Sequence, residues 1–276
     1  MVNTSLLVYH SDLKCTSIFQ RTLDDILRNH IGRRCFVYID DIIIFSKDKQ
    51  SHLEDIKIIF ETLCDANMKV QVDKCEFLKN HVEFLGFIVS ENGIKTNPAK
   101  VEAITNFPTP KTLKDLRSFL GLSGYYRRFV RDYAKLAKPL TNLLRGEGGQ
   151  TSKNISKKTQ IKLNSDAIEA FNKIKSALTE EVMLHYPDFT KEFQLTTDAS
   201  EYALGAVLAQ NDRPIMFISR TLSKAEENYA TNEKEMLAII WALTLRNYLY
   251  GSVKIKIFTD HQPLTYALSS KTITTK

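Results

Sequence analysis

The sequence has no apolar run long enough to span a membrane and no secretory signal. Its start, MVNTSLLVYHS, has a short apolar stretch but neither a basic flank nor a small-residue cleavage site. Cysteine is also scarce. All four cysteines fall in the first third, without the paired spacing of metal ligands, at Cys15, Cys35, Cys64 and Cys75. We therefore expect an intracellular, non-secreted protein whose cysteines are reduced packing residues.

Length, composition and charge limit the classes of protein that this sequence fits. The chain has 276 residues, of which 43% are hydrophobic and 25% are charged. This length and composition suit a folded protein of two domains with real hydrophobic cores. The formal charge of +6 is compatible with a polyanionic partner, although many basic proteins bind none.

Two adjacent aspartates interrupt an apolar run, FVYIDDIIIF, at residues 36–45. The flanking β-branched and aromatic residues predict a β-hairpin with two buried strands and with Asp40 and Asp41 at its tip. Converging carboxylates repel each other, and a divalent cation relieves that repulsion. The alternative is an ordinary Asp-Asp turn without a ligand. Such a turn is less expected between strands this hydrophobic.

A polar segment rich in glycine, serine and lysine at residues 146–160 predicts a flexible linker. Before it, apolar spacing predicts helices at residues 19–29 and 51–68. Strand-like residues 82–89 and 93–95 bracket Ser-Glu-Asn-Gly, a hairpin signal because Asn-Gly adopts positive φ readily.

A helical region with mixed aromatic and basic side chains follows. Thr112 and Asp115 form a capping-box pattern at its start. The aromatic and basic cluster comprises Tyr125, Tyr126, Arg127, Arg128, Phe129 and Arg131. The cations could neutralise phosphates while tyrosine stacks on bases. A solvated basic helix face with its aromatics packed inward explains the same composition equally well.

The pattern after the linker is mixed α/β. Periodicity predicts, in order, a helix at 166–178, strands at 193–198, 205–209 and 215–219, a long and deeply packed helix at 232–250, and a strand at 253–260.

Three acids in this half are candidates for one metal centre. Asp198 and Asp260 each end a strand, and Glu235 lies in the first turn of the long helix. If the two strands are parallel neighbours, the three carboxylates converge and can hold two Mg²⁺ ions about 4 Å apart, which activate water and stabilise a leaving oxygen. Each has an ordinary alternative, because aspartates often end strands and Glu235 could close a capping box opened by Asn232.

Several long blocks resemble gypsy-type retrotransposon polyproteins. In the first half these are YIDDIIIFSK, which contains the YxDD signature of reverse transcriptases, and then KCEFLK, VEFLGFIVS, LRSFLGLSGYYRRF and KPLTNLL. In the second half LTTDASEYALGAVLAQ, ISRTLSKAEENYATNEKEMLAIIWAL, YLYG and FTDHQPL resemble the ribonuclease H domain of the same polyproteins. The resemblance runs from about residue 19 almost to the C-terminus.

This resemblance implies roles for the candidate residues. It places Asp40 and Asp41 among the Mg²⁺ ligands of nucleotidyl transfer, with Mn²⁺ as an alternative cation. It places Tyr38 and the region around Phe84, Leu85 and Gly86 on the nucleic acid, the latter as a primer-gripping hairpin. The Tyr125–Arg131 cluster corresponds to the thumb, which follows the template–primer duplex. Asp198, Glu235 and Asp260 match three of the four ribonuclease H acids.

The resemblance also implies a fold of α+β and α/β class. We expect a partial reverse transcriptase palm (1–95), a thumb (96–145), the linker (146–160), a connection (161–190) and an incomplete, C-terminally truncated ribonuclease H-like domain (191–276). Relative to the family, an upstream palm aspartate, a tryptophan near residue 162 and the fourth ribonuclease H acid are missing. The run before FQR, at residues 10–18, has lost the family's glycine, asparagine and proline and is one residue shorter. We therefore expect a fragment or an incomplete copy.

The function predicted on this basis is RNA-directed DNA polymerase with ribonuclease H activity on RNA–DNA hybrids. The expected partners are an RNA template, a DNA primer, the hybrid, deoxynucleoside triphosphates and other Pol products, with no membrane. The expected location is the cytoplasm or a virus-like particle. The alternatives are a non-catalytic nucleic-acid-binding remnant and an inactive relic.

Overall fold

The computed structural model describes residues 2–9, 16–144, 159–250, 252 and 254–261. Most of the linker predicted at 146–160 lies outside these residues. Contacts between Cα atoms divide the chain into two compact units, residues 1–97 and residues 98–276, called here the first and the second unit. Within the described residues, no helix combines the length and the apolar character needed to cross a membrane.

The first unit is a sheet covered by two helices, followed by a small second sheet. Its elements are β1 (Val2–Tyr9), α1 (Thr16–Ile26), β2 (Cys35–Tyr38), β3 (Asp41–Ser46), α2 (Lys49–Asp65), β4 (Lys69–Val70), β5 (Glu76–Lys79), β6 (His81–Phe84), β7 (Phe87–Ser90) and β8 (Gly93–Thr96). The larger sheet has the order β2-β3-β1-β4, with β5 also paired to β1. Alternate residues of β1 and β3 pack with α1 and α2 in one core.

Both predicted helices of this unit form, with shifted boundaries. The α2 helix begins after Asp48, whose carboxylate accepts a hydrogen bond from the Ser51 N–H at 2.9 Å. It ends before Asn67, which adopts a positive φ of 56°. Apolar spacing continues to residue 68, but a left-handed residue cannot continue a right-handed helix.

A buried polar group, the His52 network, joins this sheet to α2. The His52 ring is fully buried and contacts the hydroxyl groups of Thr4 at 2.7 Å and Ser46 at 2.9 Å. Ser46 also donates to Asp55 at 2.7 Å, and the Arg34 guanidinium donates to the other oxygen of Asp55 at 2.7 Å. These hydrogen bonds connect β1, the end of β3 and the first half of α2.

The second sheet corrects the single strand that the residue pattern predicted at 82–89 and contains the hairpin that the resemblance implied around Leu85 and Gly86. Residues 82–89 are not one strand but two, β6 and β7, joined by a two-residue turn at Leu85 and Gly86. Both turn residues have positive φ, 51° and 72°, which matches the right-handed twist of a tight hairpin. The predicted hairpin between β7 and β8 is confirmed, with Ser90 opposite Gly93.

The second unit packs helices on a four-stranded sheet. Its elements are α3 (Pro98–Thr105), α4 (Leu113–Tyr125), α5 (Tyr133–Asn142), α6 (Ser165–Thr179), β9 (Phe193–Ala199), β10 (Ala203–Gln210), β11 (Arg213–Thr221), α7 (Thr231–Ala242), α8 (Arg246–Leu249) and β12 (Ile255–Phe258). The sheet order is β11-β10-β9-β12. Among the described strands of this sheet, β9 and β12 pair in parallel and the other neighbours pair antiparallel.

Helices from before and after the predicted linker contact one another in this unit. The α5 helix packs against α6, β10 and β11, while α7 packs against β9 and β10. Leu204, Ala206 and Leu208 of β10 belong to the cores on the α7 side. Because side chains alternate along a strand, the α5 side of β10 is the side of Gly205. The sheet is therefore covered on both faces.

Of two predicted helices in this unit, one begins as expected and the other is shorter than expected. The α4 helix opens with the expected capping box, in which Thr112 and Asp115 exchange hydrogen bonds. The single helix expected at 232–250 is wrong, because α7 ends at Ala242. The Thr244 hydroxyl donates to the Trp241 carbonyl at 2.6 Å, and the chain leaves helical geometry before α8 begins.

The expected deep packing of that helix is also only partly correct. Its buried face contains Glu235, Ala238, Ile239 and Ala242, whereas Ile240 is 58% exposed. A 12-residue helix lying on one sheet buries one stripe only, so apolar residues around its whole circumference cannot all be covered.

Candidate active site

The parallel pairing of β9 and β12 brings two aspartates to one edge of the sheet. The register places Phe258 opposite Thr196, and continuing it by two residues places Asp260 beside Asp198. Along β9, Phe193, Leu195 and Thr197 are buried, as the alternation predicted. The strand pattern thus carries both acids to the same end of neighbouring strands.

Helix α7 supplies the third acid. Its capping carboxylate is that of Glu233, which accepts a hydrogen bond from the Ala230 N–H at 2.9 Å. Glu235 lies two residues further on and only 5% of it is exposed. The capping role considered for Glu235 from sequence therefore belongs to Glu233, and Glu235 faces the sheet.

The three carboxylates converge. Ligand oxygens of Asp198, Glu235 and Asp260 all lie within 4.8 Å of one another. Glu235 is buried, Asp198 is half-buried and Asp260 is exposed. Among the residues that the structure describes, this is the one group of three or more side chains with metal-ligating spacing. It opens to solvent at Asp260, where a phosphate could approach.

The electrostatics of this group favour a positive charge at Glu235, supplied either by a proton or by a cation. The Ala199 N–H donates a hydrogen bond to Glu235, but Glu235 Oε2 is buried and has no hydrogen-bond partner among the described residues. Burial, and then the negative charges of Asp260 and Asp198, raise the pKa of Glu235 to about 7. A buried carboxylate oxygen without a donor is costly. The residues present therefore fit a bound divalent cation.

The Asp40–Asp41 pair lies where the sequence predicted it, at the tip of the β2–β3 hairpin. Tyr38 pairs with Asp41 across a two-residue turn, in which Ile39 has a φ of 52°. The Ile39 N–H donates to the side chain of Gln20 on α1, and the Asp40 carbonyl accepts from Val8 at 2.9 Å. Both hydrogen bonds use backbone groups of the turn rather than the carboxylates of Asp40 and Asp41.

The surroundings of this pair differ from the expected two buried strands. Strand β3 is buried, but β2 is an edge strand in which Phe36 and Tyr38 are each 50% exposed. Burial, and then the charges of Asp40 and Glu83, raise the pKa of Asp41. Within the described ranges, no third carboxylate joins the pair at metal-ligating distance. The residues present do not fit a two-cation set at this turn.

The structure separates the members of the aromatic and basic cluster. Tyr126 is 2% exposed, which favours the inward-packing alternative for this residue, whereas Tyr125 is 51% exposed. The Arg127 guanidinium donates to the Ser219 carbonyl of β11, Arg128 is half-buried, and Arg131 lies 3.7 Å from the Asp132 carboxylate. Phe84 ends β6, and Leu85 and Gly86 form the β6–β7 turn; all three residues are half-buried.

Sequence reasoning missed Asp132. Burial, and next the charge of Asp198, raise the pKa of this carboxyl group, so Asp132 lies close to the acidic centre. No strand or helix periodicity places it there, because it occupies the turn before α5 with a φ of 55°. A lone acid that follows a basic run carries no sequence signal of this kind.

Comparison with known families matches both halves. Residues 15–89 match the family of reverse transcriptase (RNA-dependent DNA polymerase), and residues 163–257 match the RNase H-like domain found in reverse transcriptase. The chain is 53% identical over 265 residues to the retrovirus-related Pol polyprotein from transposon opus of Drosophila melanogaster, covering 94% of this chain and 26% of that polyprotein. The corresponding polyprotein from transposon gypsy of the same fly is 52% identical over 95% of this chain.

Solved structures agree on the fold. The foamy viral protease-reverse transcriptase dRH in complex with double-stranded DNA matches with a TM-score of 0.79 at 22% identity, over 98% of this chain and 51% of that one. The foamy viral protease-reverse transcriptase in complex with RNA/DNA hybrid matches with a TM-score of 0.76 over 99% of this chain. The chain spans about a quarter of the length of the curated relatives it matches. It belongs to the retrovirus-related Pol polyproteins of the gypsy type, as a segment that contains reverse transcriptase and ribonuclease H-like regions.

Proposed function

We propose that the second unit carries a ribonuclease H centre, which cleaves the RNA strand of an RNA–DNA hybrid and uses Mg²⁺, with Mn²⁺ as a substitute. The observation that carries this proposal is the convergence of Asp198, Glu235 and Asp260 within 4.8 Å, with one buried oxygen of Glu235 that lacks a partner in the part of the chain that the structure describes. Divalent cations bound there supply Lewis acidity for phosphodiester hydrolysis.

The three acids have different roles because their environments differ. Asp198 and Asp260 present oxygens at the open edge of the sheet, where the hybrid backbone would lie. Glu235, with a pKa of about 7, carries a proton for much of the time at neutral pH in the cation-free chain, and it must release that proton to act as a ligand. Its hydrogen bond from Ala199 fixes the carboxyl group as the proton leaves.

For the first unit we propose a palm role in the parent Pol product. Asp40 and Asp41 would bind the cation in nucleotidyl transfer from deoxynucleoside triphosphates to a DNA primer on an RNA template. The YxDD hairpin at a two-residue turn supports this assignment. Among the described residues no third carboxylate joins the pair, so a complete polymerase centre would need a ligand from elsewhere in the Pol product. Location in the cytoplasm or a virus-like particle, and contact with other Pol products, belong to the same proposal.

The test is cleavage of an end-labelled RNA–DNA hybrid by the purified chain. We expect cleavage that requires Mg²⁺ or Mn²⁺ and falls at least 100-fold in Asp198→Asn. The matched control is Asp212→Asn, at an exposed position in the β10–β11 turn with a φ of 60°, which should cleave like the parent chain. Failure of the parent chain both to bind a divalent cation and to cleave the hybrid would contradict the proposal.

A further inference from the structure

The Asp132 carboxylate occupies space that any side chain at position 205 would need. A Cβ built on Gly205 would lie 2.1 Å from Asp132 Oδ1 and 3.3 Å from Asp132 Cγ. Both distances are shorter than an ordinary van der Waals contact. Glycine at this position therefore allows Asp132 to contact the backbone of β10.

The same contact places Asp132 beside the metal centre. Gly205 is the register partner of Asp198 across the antiparallel β9–β10 pair. Directly opposed residues direct their side chains to the same face, with Cβ atoms about 5 Å apart. Asp132 thus occupies the side-chain position next to Asp198, and the two negative charges repel each other. Asp132 also lines one narrow cleft with Asp198, Lys135 and Ser200.

Contacts on both sides of Asp132 hold it in place. The Arg127 side chain donates to the Ser219 carbonyl, and the Ala134 N–H donates to the Ser219 hydroxyl at 2.9 Å. One turn further along α5, Lys138 pairs with Glu227 at 3.0 Å. These contacts anchor the segment to β11 and to the turn before α7, so the backbone of Asp132 cannot easily withdraw from the sheet.

We propose that Asp132 is a fourth acidic residue of the ribonuclease H-like centre, contributed by the segment before α5, and that it acts through Asp198 to strengthen binding of the divalent cation. This inference depends on the proposed function of that centre. Asp132 is a positioning residue, since the cluster of mutually close ligand oxygens does not include it. Its negative charge adds to the repulsion on Asp198 in the cation-free state, so a divalent cation held by Asp198 would relieve more repulsion when Asp132 is present.

The test is Mn²⁺ binding by titration calorimetry on the full chain, together with thermal unfolding in EDTA. Asp132→Asn keeps the side-chain size and tolerates a positive φ. We expect Mn²⁺ affinity to fall about three- to tenfold, while the Tm in EDTA stays level or rises because a repulsive charge is gone. Asp212→Asn, another aspartate at positive φ about 20 Å along the sheet, should change neither quantity.

The outcomes are distinguishable. If the parent chain binds no Mn²⁺, the proposed function fails. If the parent chain binds and Asp132→Asn binds equally well, or if Asp132→Asn loses affinity only together with a lower Tm in EDTA, the role assigned to Asp132 is wrong. Should Asp132→Asn not fold, Asp132→Gly, which suits the positive φ better, replaces it in both measurements with the same expectations.

Discussion

Glu235 should oppose folding at neutral and alkaline pH when no cation is bound, and Glu235→Gln should remove that opposition. In the unfolded chain this carboxyl group has an ordinary pKa of 4.5, whereas in the folded protein its pKa is about 7. The folded state therefore binds more protons between these values, and its stability falls as pH rises through the window from about 4.5 to 7. Below that window the group is protonated in both states and the penalty disappears.

The magnitude follows from the two pKa values. The rise from 4.5 to about 7 corresponds to about 3 kcal/mol of unfolding free energy at pH 8, at about 1.4 kcal/mol for each pH unit. Glutamine is neutral and retains an acceptor for the Ala199 N–H, while its amide group donates to Asp198 or Asp260. We therefore expect Glu235→Gln to stabilise the second unit by about 2 to 3 kcal/mol at pH 8 and by less than about 1 kcal/mol at pH 5.

Urea unfolding in EDTA at both pH values measures this difference, with the transition of the second unit followed through its single tryptophan, Trp241. The control is Glu169→Gln on an exposed face of α6, which should change stability by less than about 0.5 kcal/mol at either pH. Equal effects of Glu235→Gln at pH 5 and pH 8, or a loss of stability at pH 8, would refute the reasoning. Saturating Mg²⁺ should reverse the preference, because the parent carboxylate is then a ligand.

Two further predictions concern packing. Gly205→Ala should destabilise the second unit by about 1 to 3 kcal/mol, because the new methyl group overlaps the Asp132 carboxylate. In urea unfolding, the double variant with Asp132→Gly should regain most of that loss. Additive effects of the two substitutions would contradict the contact. His52→Leu should lower the unfolding free energy of the first unit by about 2 to 4 kcal/mol, because it removes two hydrogen bonds from buried hydroxyl groups of the His52 network. The control, His81→Leu at an exposed position, should lower it by less than about 0.5 kcal/mol. An equal cost at the two histidines would show that the network does not stabilise the unit.

The sequence alone was sufficient to predict the local structure wherever that structure follows from a residue period or a turn motif. Alternation along residues 193–198 fixed which side of β9 is buried, and the Asp-Asp pair between apolar strands predicted the β2–β3 hairpin. The capping box at Thr112 and the Asn-Gly hairpin between β7 and β8 are likewise interactions among residues close in the chain. In each case the determining atoms lie within a few residues of one another, so the pattern predicts the geometry.

Boundaries within long apolar stretches could not be predicted in the same way. The break between α7 and α8 coincides with a hydrogen bond from the Thr244 hydroxyl to the Trp241 carbonyl, although the helical pattern of the sequence continues through residue 250. Similarly, the burial of Tyr126 and the exposure of Tyr125 follow from how the end of α4 packs, not from their identical side chains. Composition alone does not distinguish a buried from an exposed tyrosine at these positions, because the packing of neighbouring elements decides it.

The amino-acid sequence thus determined the family, the acids of the ribonuclease H-like centre as candidates and the turn that carries Asp40 and Asp41. Only the tertiary structure decided that Glu233 rather than Glu235 caps α7, that Glu235 has a buried oxygen to which no described residue donates, and that Asp132 lies against Gly205 beside Asp198. The physical reason is that strand period and helix spacing act over a few residues, whereas the contact between Asp132 and Gly205 joins positions 73 residues apart through the packing of α5 on the sheet.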